Sequence, residues 1–230
     1  VPMPAPEAVE SAFCRAQANY LAHGMTVAQE GFLTREMFPV YDMLRARGAL
    51  AMDIVAYPSP DDYDEACAHF SGAAPLRIGG MKIFLDGSPQ QKTAYLREPY
   101  RGGGRGVLTM NEREVDKACR FVAARGAQLL AHCNGDGAAQ LFLAALARLT
   151  PVQRRTVRPV LVHGQILGED QLDAAASLGV IPSFFPAHVK YWGDVHLKNL
   201  GRARAERISP ARSALERGIP FTLHQDTPVC

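Results

Sequence analysis

Titratable side chains lie within or at the end of four apolar runs of the chain. They are Lys82 and Asp86 in MKIFLDG, His132 and Asp136 in LLAHCNGD, His163 in VLVHGQ, and His224 and Asp226 in FTLHQD. If these runs form the parallel strands of a barrel, their carboxyl ends face one mouth, where active sites lie. Two imidazoles and a carboxylate there would suit a divalent cation such as zinc. The pattern indicates a metal site, although a single strand histidine is more often a hydrogen-bonded core residue.

Lys82 is unusual because it lies inside the apolar run KIFLDG. Burying a charged ammonium group is costly unless the group has a partner. This cost favours a functional role for Lys82. The ordinary alternative is a lysine at the edge of a sheet whose amine reaches solvent.

Helical and strand-like patterns alternate along the chain, which predicts β/α units around a parallel sheet. Seven runs are predicted as strands: MTVAQEG, ALAMDIVAYP, LRIGGMKIFLDG, AQLLAHCNGD, PVLVHGQ, VIPSFFPAH and FTLHQDTPV. Helices are predicted at residues 7–23, in EMFPVYDMLRARG and DDYDEACAHF, from an Asn111 cap to Arg125, and in GAAQLFLAALARL, EDQLDAAASLG and SPARSALERG. We expect an α/β fold, an incomplete TIM (β/α)8 barrel with about seven of eight strands. Residues 1–230 would form a single, truncated barrel domain, and a doubly wound open sheet is the alternative.

The composition is that of an ordinary globular protein, with 47% hydrophobic residues in a chain of 230. The 25 basic and 23 acidic side chains give a formal net charge of +2, so neither nucleic acid nor a membrane is an expected partner. We expect a small-molecule substrate and leave a homo-oligomer open. Five scattered cysteines, Cys14, Cys67, Cys119, Cys133 and Cys230, show no CxxC pairing and are interpreted mostly as core residues of a cytoplasmic protein.

Five ordered motifs carry a family resemblance. The succession KIFLDGSPQQKTAYLREPY, AHCNGDGAA, LVHGQIL, GVIPSFFPAHVKYWGD and LHQDTPV resembles the amidohydrolase superfamily, specifically its family 3 branch. The resemblance implies that Lys82, carboxylated, is a metal ligand together with His132 and His163. It implies that Asp226 lies at the metal and accepts a proton from the attacking water. The implied cofactor is a divalent metal, zinc before others, as one or two ions.

The chain departs from the pattern of this branch in two places. The H-x-H pair of the first barrel strand does not occur in these 230 residues, and His224 and Gln225 stand where many members have a small residue or serine. The resemblance implies hydrolysis of a non-peptide carbon–nitrogen bond, in an amide or cyclic amide. The alternatives are a catalytically inactive fragment of such an enzyme and, more weakly, a barrel enzyme without a metal.

Two further segments are candidates for substrate binding. His188 and Trp192, with Tyr191 and Asp194, are predicted in a loop after the seventh strand, where they could line a pocket. Asp86 and Gln90, with Ser88, follow the lysine strand. A plain surface loop and ordinary turn chemistry are the respective alternatives. The glycine-rich RGGGRG segment is interpreted as a lid or connector, Cys133 as a core residue and Asp136 as a helix cap.

Overall fold

The computed structural model of the protein describes residues 5–72 and 74–226. The chain divides into two compact units, Val1–Lys82 and Ile83–Cys230. Both contain parallel β-strands with intervening helices, which confirms the predicted α/β class. Within the described residues, no helix has both the length and the apolar character that crossing a lipid bilayer requires.

The first unit is a small three-stranded parallel sheet with helices. Its elements in chain order are α1 (Pro6–Ala22), β1 (Val27–Leu33), a 3-10 turn (Arg35–Met37), α2 (Phe38–Ala46), β2 (Asp53–Pro58), α3 (Tyr63–His69) and β3 (Leu76–Ile78). The strand order is β1-β2-β3, with Val27 opposite Asp53 and Ile54 opposite Leu76. Proline lies in the first turn of both α1 and α2, where its missing N–H costs no helical hydrogen bond. Leu33, Leu44 and Phe70 belong to the core of this unit.

The second unit contains most of a five-stranded sheet. Its elements in chain order are β4 (Gly80–Phe84, which begins in the first unit), α4 (Glu112–Ala124), β5 (Gln128–Cys133), α5 (Asp136–Ala147), α6 (Pro151–Val157), β6 (Val160–His163), α7 (Glu169–Leu178), β7 (Ile181–Phe184), α8 (Ala187–Leu200), α9 (Arg202–Ala205), α10 (Ala211–Glu216) and β8 (Thr222–Leu223). The strand order is β4-β5-β6-β7-β8, and β5 to β8 pair in parallel. All carboxyl ends from β5 to β8 therefore lie at one edge of this sheet.

The segment predicted as one strand, LRIGGMKIFLDG, is two strands, β3 and β4, so the described residues contain eight strands rather than seven. Gly79 lies between them, and a Cβ atom there would come within 2.4 Å of the Val55 side chain. The backbone passes too close to β2 for a regular strand with side chains to continue. The last strand is shorter than predicted, and residues 227–229 of FTLHQDTPV lie outside the described residues.

The segment around His188 is a helix, α8, and the prediction of a loop there is wrong. Gly193 and Asp194 favoured a loop in the sequence. The helix packs Leu197 and Leu200 into an apolar cluster with Leu96, Tyr100 and Ile166, and this packing overrides the weak local preference. A second helix that was not predicted, α6, begins with a capping box formed by Thr150 and Gln153.

The cap predicted at Asn111 is present as a full capping box. Asn111 Oδ1 accepts from the Glu114 N–H at 3.0 Å, and the Glu114 carboxylate accepts from the Asn111 N–H at 2.7 Å. We expect Asn111→Ala to lower the free energy of unfolding by about 1 kcal/mol, measured by urea titration, because one helix N–H loses its acceptor. Asn111→Asp keeps an acceptor and is the control. Equal stability of the two variants would contradict the role of the cap.

The core of the second unit is built around α5, which packs against α4 and α7. Phe142 and Leu146 on α5 are fully buried, as are Leu129 of β5 and Leu161 of β6. Cys119 and Cys133 are buried as predicted, whereas Cys14 is exposed and Cys67 is only partly buried. Cys230 lies outside the described residues. This core holds β5 and β6 in place, and each of them carries a histidine at its carboxyl end.

Candidate metal centre

Three histidines form a row at the carboxyl edge of the five-stranded sheet. His132 lies near the end of β5, His163 is the last residue of β6, and His224 follows β8. His132 Nδ1 and His163 Nε2 are 3.1 Å apart, and His163 Nδ1 and His224 Nε2 are 3.2 Å apart. In the register of β5 and β6, Cys133 lies directly opposite His163, so the strand pairing puts His132 one position away from His163. The sheet thus brings together imidazoles from distant parts of the chain.

Asp226 completes the row with a carboxylate. Its Oδ2 lies 3.8 Å from His163 Nε2. One ligand atom each from His163, His224 and Asp226 lies within 4.8 Å of the other two. Imidazole nitrogen and carboxylate oxygen are the donor types found in catalytic zinc sites. The residues present therefore fit a divalent cation by donor type and by spacing.

The backbone at His163 is in an uncommon conformation. Its φ angle is 77°, and the following Gly164 has φ 54°. A positive φ is rare in residues other than glycine, and backbone strain of this kind tends to occur at functional sites. His163 is also only 4% exposed. The strain turns the chain sharply where the imidazole lies between His132 and His224.

Asp86 is enclosed by backbone donors. Its carboxylate accepts from the N–H groups of Tyr95 at 3.0 Å, Asn134 at 2.9 Å and Gly135 at 2.7 Å. Burial raises the pKa of Asp86 to about 7 against the opposing effect of these three donors. Asp86 Oδ1 lies 3.7 Å from His132 Nε2. This geometry favours a role in positioning His132 over the substrate contact that the sequence predicted, because the carboxylate is fully buried and already bonded.

The neighbouring polar residues also have structural partners. Asn134 Nδ2 donates to the Gly87 carbonyl at 2.8 Å and lies 3.2 Å from His132 Nε2. Asp136 is the first residue of α5, where its Oδ1 accepts from the N–H groups of Arg97 and Gly137. The N-cap of α5 is Gly135, so the prediction that Asp136 caps this helix is wrong, although its carboxylate accepts from the Gly137 N–H. Lys82 lies in β4 and is 7% exposed, so the lysine within the apolar run is buried.

The other predicted substrate residues lie at and beside α8. His188 and Trp192 are on the helix itself, and His188 is buried against Gln165. Burial lowers the pKa of His188, partly offset by the charge of Asp226. The Gln90 carbonyl accepts from Asn199 Nδ2 at 3.2 Å, which ties the segment after β4 to α8.

His224 is the residue that the predicted ligand set omitted. It belongs to the H-x-D sequence that ends the last apolar run, and that spacing was the available signal. Ser183 Oγ lies 2.9 Å from its Nδ1, and the His224 N–H donates to the Phe184 carbonyl at 3.0 Å. These bonds to β7 hold the His224 ring toward His163.

The parallel sheets and the histidine and aspartate cluster define an α/β protein with a candidate metal centre at strand ends. The model of the amidohydrolase family matches residues 1–230, and the chain belongs to this family. It is 26% identical over 156 residues to the Bacillus subtilis protein named "Putative amidohydrolase YtcJ". The aligned region covers 67% of this chain and 29% of that protein. The chain therefore spans less than a third of that relative.

Solved structures share the fold. An uncharacterized metal-dependent hydrolase from Pyrococcus furiosus superposes on this chain with a TM-score of 0.78 and 24% sequence identity. The superposition covers 99% of this chain and 48% of that one. The atrazine chlorohydrolase TrzN from Arthrobacter aurescens TC1, solved in complex with zinc, is 14% identical with a TM-score of 0.53, over 95% of this chain and 49% of that one. The chain thus spans about half the length of these structures.

Proposed function

We propose that this chain carries the centre of a metal-dependent amidohydrolase that cleaves a non-peptide carbon–nitrogen bond, in an amide or cyclic amide, with water. The observation that carries the proposal is the set of two imidazoles and one carboxylate, from His163, His224 and Asp226, within 4.8 Å at the strand ends. Membership of the amidohydrolase family supports the reaction class. A (β/α)8 barrel that includes residues 1–230 is the architecture that goes with it.

The proposed ligands are His132, His163 and Asp226, with His224 added, and carboxylated Lys82 from β4. The bound cation, for which we propose zinc as one or two ions, would polarise the substrate carbonyl and lower the pKa of water. Carbon dioxide reacts with the neutral form of a lysine amine, and Lys82 is buried in β4 at 7% exposure. Asp86 and Asn134 would fix the orientation of His132 through their contacts with it.

Asp226 would act as the general base and then as the general acid. It would take a proton from the attacking water and return it to the leaving nitrogen. Gln90, His188 and Trp192 would contact the substrate. We propose that the partner of the protein is a small molecule and neither nucleic acid nor a membrane. A homo-oligomer is left open. We place the protein in the cytoplasm, where its thiols would stay reduced.

Asp226→Asn tests this assignment. We expect hydrolysis of the best substrate from a panel of N-acyl and cyclic amides to fall about 1,000-fold, because a positioned base contributes about 10²–10⁴-fold. Zinc content by elemental analysis should stay unchanged, since the asparagine oxygen and the imidazoles remain. Asp173→Asn, at an exposed residue of α7, is the control. Full activity of Asp226→Asn would refute the proposed role.

An inactive fragment is the second candidate, and the absence of an H-x-H pair from the 230 residues favours it. Metal content of protein purified without chelators separates the two. About one zinc ion per chain would support the hydrolase, whereas metal-free protein would support the fragment.

A further inference from the structure

Buried polar atoms without a hydrogen-bond partner in the protein are concentrated at one place in the second unit. Of the ten such side-chain atoms found among the described residues, eight lie on α8 or in segments bonded to it. They belong to Ser88, Gln90, Gln165, His188, Trp192, His196 (both ring nitrogens) and Ser209. Buried polar groups are nearly always bonded to protein, ordered water or a ligand. A concentration of this kind therefore indicates a place where water or a ligand bonds to the protein.

The inward face of α8 is a stripe of polar residues. His188, Trp192, His196 and Asn199 recur at intervals of four, four and three residues, which places them on one side of the helix. His188, His196 and Asn199 are buried, and the His188 and His196 ring centroids are 6.2 Å apart. We call these four residues the α8 stripe. Burying them is costly without partners, so a helix that served packing alone would carry apolar residues here.

The hydrogen-bonding groups of the α8 stripe are mixed and uncharged. Burial lowers the pKa of His196 to about 4, so its imidazole is neutral and offers one donor and one acceptor. The Trp192 indole offers a donor, and the Oε1 atom of Gln165, whose amide nitrogen lies against His188, offers an acceptor. A carboxylate or phosphate would need donors only, and an ammonium group acceptors only. An amide group, with a carbonyl and an N–H, matches the mixture.

The α8 stripe begins one ring away from the candidate metal centre. The Phe185 ring stacks on His224, with centroids 5.2 Å apart, and packs against His188, with centroids 4.3 Å apart. A small molecule bound along the stripe could therefore reach the histidine row past Phe185.

We propose that the α8 stripe, together with Gln165, binds a neutral amide group of a small molecule, such as a carboxamide, a urea or a lactam. The identification of this molecule as the substrate rests on the proposed function. The binding of an amide to the α8 stripe does not. The proposal assigns a binding role to one further residue, His196, which was not among the residues predicted from the sequence. Its role is to hold a remote amide of the ligand through its ring nitrogens.

Trp192 is the only tryptophan in the chain, so its fluorescence reports on the α8 stripe directly. We would titrate the 230-residue chain with cyclohexanecarboxamide, cyclohexanecarboxylate and cyclohexylmethylammonium, which share a ring and differ in charge. We expect a saturable change in emission with the carboxamide alone. EDTA is present throughout, so this binding requires neither metal nor hydrolysis. The result of the titration is therefore independent of the outcome of the tests of the proposed function.

Two variants of His196 complete the test. His196→Leu should weaken carboxamide binding about ten-fold by removing the ring nitrogens, and Val189→Ala, on the exposed side of α8, should not. If His196→Leu does not fold, His196→Gln serves, because it moves the polar atoms and should also weaken binding. No saturable response, equal binding of the carboxylate, or unchanged affinity in a folded His196 variant would overturn the proposal. The unpartnered atoms would then be bonded to water.

Discussion

Replacing His163 by asparagine is expected to lower the zinc affinity of the chain by at least about 100-fold. His163 lies in the middle of the row, 3.1 Å from His132 and 3.2 Å from His224. The substitution therefore removes the imidazole ligand that lies between the other two. Loss of a residue that only orients a ligand already costs about 10–100-fold, and the loss of a ligand costs more. Competition with a chromophoric chelator measures the change.

Asparagine is the informative substitution because of the backbone. Residue 163 has φ 77°, and asparagine adopts this left-handed conformation more readily than alanine does. A weaker affinity in His163→Asn therefore reports the missing imidazole rather than a distorted chain. His23→Asn, at an exposed histidine of the first unit, is the control. If both variants bound zinc as the unaltered chain does, the metal centre would lie elsewhere.

Phe142→Ala is expected to lower the free energy of unfolding by about 3–5 kcal/mol, which is the usual cost of truncating a fully buried phenylalanine. Phe142 is completely buried on α5, the helix that packs against both α4 and α7. The cavity would lie at the centre of the second unit. Urea unfolding followed by circular dichroism measures the loss.

Val152→Ala is the matched control, because Val152 is 63% exposed on α6. It should change stability by less than about 0.5 kcal/mol. If Phe142→Ala lowered the free energy of unfolding by less than about 1 kcal/mol, the buried apolar side chains of α5 would contribute little to its packing.

Local signals in the sequence account for the elements that were predicted correctly. The Asn111 cap and the spacing of Val115, Cys119 and Val122 define α4, because local bonds and one apolar face fix a helix. The segment of α8 lacked such a signal, since its inward face is polar and Gly193 interrupts it. Only contacts with distant segments, such as that of Asn199 with the Pro89 carbonyl, show why it is helical.

The candidate site was predicted in part for the same reason. Histidines at strand ends were visible, because parallel strands bring their carboxyl ends to one edge. The enclosure of Asp86 was not visible, because its donors at Asn134 and Gly135 are more than forty positions away in the chain. The role of His224 also depended on the pairing of β7 with β8, which no local pattern encodes.

The row of imidazoles links the order of folding to the binding of a cation. His132, His163 and His224 are 31 and 61 positions apart in the chain, so they meet only after β5 to β8 have paired. Contacts between such distant positions form slowly, because closing long loops costs entropy. A cation held there binds the folded unit and not the unfolded chain. It would stabilise the whole five-stranded sheet by about 2.7 kcal/mol at a free concentration 100 times its dissociation constant.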